Sequence, residues 1–218
     1  LVASSNGLLT TVAYQIENQS PVFALEGSVA FAGASVQWLR DNLGLIKKSS
    51  DVEKLALEVK DNGDVYFVPA FSGLFSPHWD SSARGTVVGL SRYSNKSHIA
   101  RAVLESVAYQ TDELLRSLEL DVGEKENKLL VDGGMVNNNL LMQFQSDISS
   151  LQIQAPDIKE VTAFGAALAS YVYINKTELK DIPPTKSSQN WNSNMSTESR
   201  NLNISKWNKA IEKAKNWI

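Results

Sequence analysis

The chain of 218 residues is 43% hydrophobic and 21% charged, a globular composition with enough apolar mass for a core. Its 21 basic and 24 acidic residues leave a net charge of −3, which argues against nucleic acid or an anionic membrane as a partner. It has no cysteine, so disulfides, a thiol nucleophile and thiolate metal sites are excluded, and no apolar run approaches the roughly 18 residues of a spanning helix.

Leu8 to Tyr14 is rich in β-branched residues and predicts a strand, followed by the turn Asn18-Gln19-Ser20-Pro21 and a second strand from Val22 to Leu25. Gly27 to Asn42 has helical spacing, with Val29, Ala32, Val36 and Leu39 on one face and Gly44 as its stop. A shorter helix is expected from Asp51 to Val59, capped by Ser50 or Asp51. Asn62-Gly63 marks a turn before a buried strand, Val65 to Val68. From Pro69 to Gly85 neither period fits, and a loop of that length is more often functional than idle. His98 to Leu118 is the longest helical candidate.

Lys128 to Val131 then predicts a short strand running into Asp132-Gly133-Gly134, with a helix starting soon after Gly134. Leu151 to Gln154 reads as a strand, and Val161 to Tyr173 as an apolar, small-residue helix buried against a sheet. Lys186 to Ser199 is Ser- and Asn-rich and reads as surface loop, before a last amphipathic helix from about Asn203 to Trp217. Strands leading into helices, beside an early β pair, argue for an α/β fold with a mixed sheet. The opening at Leu1, in mid-pattern and with no visible signal peptide, reads as a piece of something longer.

Three features carry possible chemistry. After Leu129 to Asp132, the paired Gly133 and Gly134 let backbone pass close to a ligand, because no Cβ intervenes. The next helix aims its free N–H groups and positive end at the same spot, and Asn137, Asn138 and Asn139 offer neutral amides. That suits a nucleotide; the plainer alternative is a tight turn capped by an Asn. Gly33, inside the first predicted helix, costs about 1 kcal/mol against Ala and so implies a contact: a flat ring that Gln37 reaches from the next turn, or close helix packing. The third is Gly85 to Leu90 leading to the helix that bears Glu105, which is either a catalytic carboxylate or a satisfied polar group near a domain interface, the second being favoured. Neither His78 nor His98 is read as a metal ligand.

Together these features resemble the C-terminal domain of the FGGY carbohydrate kinases, most nearly the members that act on glycerol. Gly85 to Glu105 matches the family's second signature, and Asn6 to Thr11, Ala32 to Asp41, Val68 to Gly73, Val131 to Gly134, Leu141 to Ile148 and Val161 to Ala167 resemble it closely. The likeness covers about Asn6 to Tyr173 and resumes weakly in Trp207 to Trp217, while Phe75 and Ser76 depart from some members. The resemblance implies a ribonuclease-H-like domain of the actin/hexokinase/heat-shock ATPase class, occupying 1–218 with a core of about 6–175. It implies transfer of the ATP γ-phosphoryl to glycerol with Mg²⁺, and nucleotide contacts at Gly33, Gln37, Gly134 and Asn138. The catalytic base, the glycerol site and the phosphate and Mg²⁺ groups would lie upstream of Leu1, leaving no catalytic residue in this stretch. A cytoplasmic, homo-oligomeric parent is expected. The alternatives are another FGGY kinase acting on a sugar or polyol, a non-catalytic interaction module, and an actin-like filament or chaperone ATPase.

Overall fold

The structure, a computed structural model, describes residues 2–158, 160–178, 181–182 and 186–218. Strands β1 (Leu9–Tyr14) and β2 (Val22–Glu26) form an antiparallel pair with an irregularity between Val12 and Tyr14. Helices α1 (Gly33–Asp41) and α2 (Asp51–Ala56) follow, then the antiparallel strands β3 (Tyr66–Val68) and β4 (Thr86–Val88). The long α3 (Lys96–Val122) leads to β5 (Lys128–Leu130), α4 (Asn139–Ser149) and β6 (Gln152–Pro156). Helix α5 (Val161–Asn175), β7 (Ser187–Trp191) and α6 (Thr197–Ala214) complete the order. β6 pairs parallel with β5 and antiparallel with β7, which is the mixed sheet expected of an α/β fold.

The interior is built on β3, which is buried on both faces as its continuous apolar run requires. Its alternating side chains feed two clusters. Tyr66 and Val68 join Tyr109, Phe144, Ile148, Ile153 and Trp207, while Val65 and Phe67 join Val36, Leu39, Val52, Leu55 and Leu104. α3 serves both: Ala100, Val103 and Leu104 face one cluster, and Val107, Ala108 and Tyr109 the other. The start of α3 is fixed by a capping box, in which Asn95 accepts from Ser97 and His98 amides and the His98 ring receives the Asn95 amide. Its end is Gly123 in the left-handed conformation.

Several expected elements differ. α1 begins at Gly33 rather than Gly27, because Phe31 turns out of helical register to meet Phe71 edge-on at 5.2 Å. Gly33 therefore opens the helix instead of interrupting it. α2 ends at Ala56, not Val59, whose carbonyl accepts from Arg101 Nη1 at 3.2 Å. Neither Ser50 nor Asp51 caps it through a side chain; Asp51 instead accepts from the Lys48 amide. A 3-10 turn, Gly134–Asn137, stands between the glycines and α4.

The supposed surface loop holds β7 and the first turn of α6, whose Ser196 side chain accepts from the Ser199 amide. Polar strand residues at a sheet edge and a Ser cap both read as loop in composition. α5 is apolar on every side, the pattern of a buried helix, yet none of its described residues is buried. The expectation that it packs on the sheet is corrected. The Pro69–Gly85 stretch is irregular as predicted, and stitched in place: Trp79 Nε1 and Ser76 Oγ both donate to the Gly7 carbonyl, at 2.8 and 2.6 Å.

Candidate functional site

The turn after β5 separates two roles for its glycines. Gly133 has φ +86° and ψ −179°, a conformation that side-chain-bearing residues rarely adopt, so its lack of Cβ is demanded by the backbone. Gly134 has no such φ, and a Cβ built on it meets no atom within 4 Å. At Gly33 the nearest atom to a built Cβ is Met135 Sδ, at 4.0 Å. Close helix packing is therefore not what a glycine at position 33 serves.

Gly33, Gln37, Gly134 and Asn138 line one cavity of about 490 Å³, between α1 and α2 on one side and the 3-10 turn on the other. Val36, Val52 and Met135 supply its apolar wall. Met135 also packs against both core clusters, so the turn that carries Gly134 and Asn138 is anchored from beneath. Gln37 is exposed, one helical turn beyond Gly33 on the same face. A larger groove of about 860 Å³ runs along α6 past His78 and Glu113, and none of the four residues lies there.

Asn138 is half-buried in extended conformation and caps α4: its Oδ1 accepts from the Leu141 amide at 2.8 Å. The preceding amide, Leu140 N–H, donates to Glu53 Oε1 at 2.8 Å from α2. The expectation that α4 points free N–H groups at the glycine turn is thus corrected for these two. Both are occupied by side-chain oxygens, one of them a carboxylate. The cap predicted as the plainer reading of this turn is present, and it stands in the cavity wall.

Glu105 resolves toward the favoured alternative of a satisfied polar group. It is buried, and its oxygens accept from Arg101 Nε at 2.8 Å and Asn62 Nδ2 at 2.9 Å. Desolvation outweighs these partners and raises its pKa from 4.5 to about 7. It does not line the cavity. The sequence reading missed Glu53, and no local pattern marks it, because its bond to Leu140 spans 87 positions.

The architecture first defines a class. The solved xylulose kinase from Lactobacillus acidophilus superposes on 88% of this chain with a TM-score of 0.70 at 20% identity, covering 38% of that structure, and so shares its fold. Plasmodium falciparum glycerol kinase, solved with ADP, superposes on 98% of the chain with a TM-score of 0.83 at 37% identity, covering 43% of that structure. The pattern that defines the FGGY family of carbohydrate kinases, C-terminal domain, matches residues 1–173, and the chain belongs to that family.

Among curated relatives, the glycerol kinase of Brucella anthropi is 52% identical over 220 residues, spanning 100% of this chain and 44% of its own length. That of Corynebacterium kroppenstedtii is 52% identical over 218 residues, spanning 98% of this chain and 42% of its own length. The chain thus spans less than half the length of these relatives.

Proposed function

We propose that this chain is the nucleotide-holding C-terminal domain of an ATP-dependent glycerol kinase, with a core of about residues 6–175. One observation carries the reading. Gly33, Gln37, Gly134 and Asn138, assigned to the nucleotide by the family resemblance and more than a hundred positions apart at the extremes, converge on one cavity. An apolar wall with neutral amides at its rim suits a purine and ribose, which present flat apolar faces and hydrogen-bonding edges. Support also comes from the ADP in the solved Plasmodium falciparum enzyme, and from the glycerol kinases that match over the whole chain.

The reaction of the intact protein is attack by a terminal hydroxyl oxygen of glycerol on the γ-phosphorus of ATP. The hydroxyl proton passes to the catalytic base assigned upstream of Leu1, and the bond to the β–γ bridging oxygen breaks, giving glycerol 3-phosphate and ADP. Such transfer depends chiefly on positioning and on charge stabilisation. This domain holds adenosine so that the γ-phosphoryl projects toward the groups upstream of Leu1. On the family resemblance, the Mg²⁺ ligands are assigned to that upstream portion too. On family grounds alone we read the intact protein as a cytoplasmic homo-oligomer.

The test is steady-state kinetics on the intact protein. Gln37→Ala and Asn138→Ala are expected to raise KM for ATP several-fold with KM for glycerol unchanged. A screen of glycerol against pentoses and other polyols reads the acceptor. Unchanged ATP kinetics in both variants would remove the cavity from the nucleotide site, and turnover confined to a pentose would replace glycerol as substrate.

A further inference from the structure

The cavity lies between α2 and the turn that leads into α4, segments far apart in sequence, and one side chain ties them at its edge. We propose that Glu53 is the positioning residue of the site, an inference that rests on the nucleotide reading above. Glu53 sits in α2, lines the cavity, is half-buried, and places Oε1 2.8 Å from the Leu140 amide. Leu140 is the second residue of α4, and Leu141, the third, gives its amide to Asn138. Adjacent orphan donors of one helix end are thus shared between a residue of the nucleotide wall and a residue of the opposite helix.

Two consequences follow from this geometry. First, Glu53 fixes the width of the cavity. The turn bearing Gly134 and Asn138 is held at the distance from α1 and α2 that the carboxylate sets, and Gln37 faces it from α1. Second, Glu53 sets the polarity of the ligand. A helix N-terminus ordinarily favours phosphate. Here an anionic side chain already occupies it, so a phosphate would meet repulsion at α4 and is directed away, leaving this end to the uncharged part of the nucleotide.

The experiment compares Glu53→Gln, Glu53→Asp and Glu53→Ala in the intact protein, by ADP titration calorimetry and by hydrogen exchange at the Leu140 amide. Glutamine keeps an acceptor oxygen at the same reach, whereas aspartate keeps the charge but falls one methylene short. If Glu53 positions the site, Ala and Asp weaken ADP roughly tenfold and accelerate Leu140 exchange, while Gln stays within about threefold of the parent. Faster Leu140 exchange with unaltered ADP affinity would make Glu53 a helix tie only, and the inference would fall. Should Ala not fold, the Asp-against-Gln ranking decides alone, and the reverse ranking overturns the positioning role. Gln37→Ala runs alongside as a control: if it weakens ADP and the Glu53 variants do not, only this inference fails. If none of the variants weakens ADP, the nucleotide reading fails with it.

Discussion

Arg101 and Glu105 lie one turn apart on α3, and their side chains meet at 2.8 Å with both largely removed from solvent. Glu105 titrates near 7 rather than 4.5 because desolvation exceeds what Arg101 and Asn62 return. A carboxyl whose folded pKa lies above its unfolded one binds protons more tightly in the native state. Between about 4.5 and 7 the folded protein therefore loses stability as pH rises, and below that window Glu105 contributes its full share. Glu105→Gln is expected to flatten this slope, read as the urea midpoint at pH 5 minus that at pH 8 against the parent. A difference unaltered by the substitution would show that the group ionises without cost. Arg101→Ala is expected to destabilise by about 3 kcal/mol at pH 8, where the buried carboxylate would lose its cation and keep only the Asn62 amide.

Glycines at two sites predict opposite phenotypes. Gly89 has φ +82° and a Cβ there would stand 1.9 Å from the Asp64 carbonyl oxygen. Gly89→Ala is expected to cost on the order of 4 kcal/mol or more, because backbone must move against backbone. Gly134→Ala meets nothing in the protein and should leave the thermal midpoint within a few degrees of the parent. Gly134 lines the cavity, so a methyl added there is expected to raise KM for ATP. An Ala at 134 that unfolds the protein, or one that leaves nucleotide kinetics intact, would contradict the division of roles.

Asn138 caps α4 and, on the proposed reading, also meets the nucleotide, two roles that different substitutions separate. Asn138→Ala removes the acceptor for the Leu141 amide and should cost about 1 kcal/mol, together with weaker ATP binding. Asn138→Asp keeps the cap and so the stability, but brings a second anion to a wall that already carries Glu53. ATP affinity should fall while the melting temperature holds. Parallel losses in both properties for Asp would mean that cap and contact cannot be separated.

Much of the fold was legible because it rests on local pattern. The run Val65 to Val68 predicted a buried strand where Val65, Phe67 and Val68 are buried, and the helical stretch His98 to Leu118 falls within α3, with Val103 and Val107 buried. Boundaries failed where a distant partner intervened: Phe71 holds Phe31 outside α1, and Arg101 draws the Val59 carbonyl away from α2. β7 was hidden because Ser187 to Asn190 has no apolar alternation and its pairing with β6 is supplied by tertiary context. Composition marked α5 as a helix that needs cover, but says nothing of what provides it. At the cavity, the glycines and amides were visible as motifs, whereas Glu53 became visible only once α2 and α4 were brought together in space.

Trp207 and Tyr109 test how α6 is joined to the rest. The Trp207 ring is fully buried and stacks on Tyr109 with centroids 4.9 Å apart and planes 9° from parallel. Tyr109 in turn meets Phe144 edge-on at 5.4 Å, so the helix locks α3 to α4 through aromatic faces. Trp207→Ala should cost about 4 kcal/mol, combining lost burial with a cavity that the neighbours only partly fill. Trp207 Nε1 is buried with no hydrogen-bond partner among the described residues, so Phe forfeits no polar contact and should cost about 1–2 kcal/mol. Since α6 does not line the cavity proposed for the nucleotide, Trp207→Phe should leave KM for ATP at the parent value. Denaturant midpoints for the two variants check the ranking. A Phe substitution as damaging as Ala would show that the indole nitrogen has a partner after all, such as a buried water, and that α6 is held by polarity rather than by stacking.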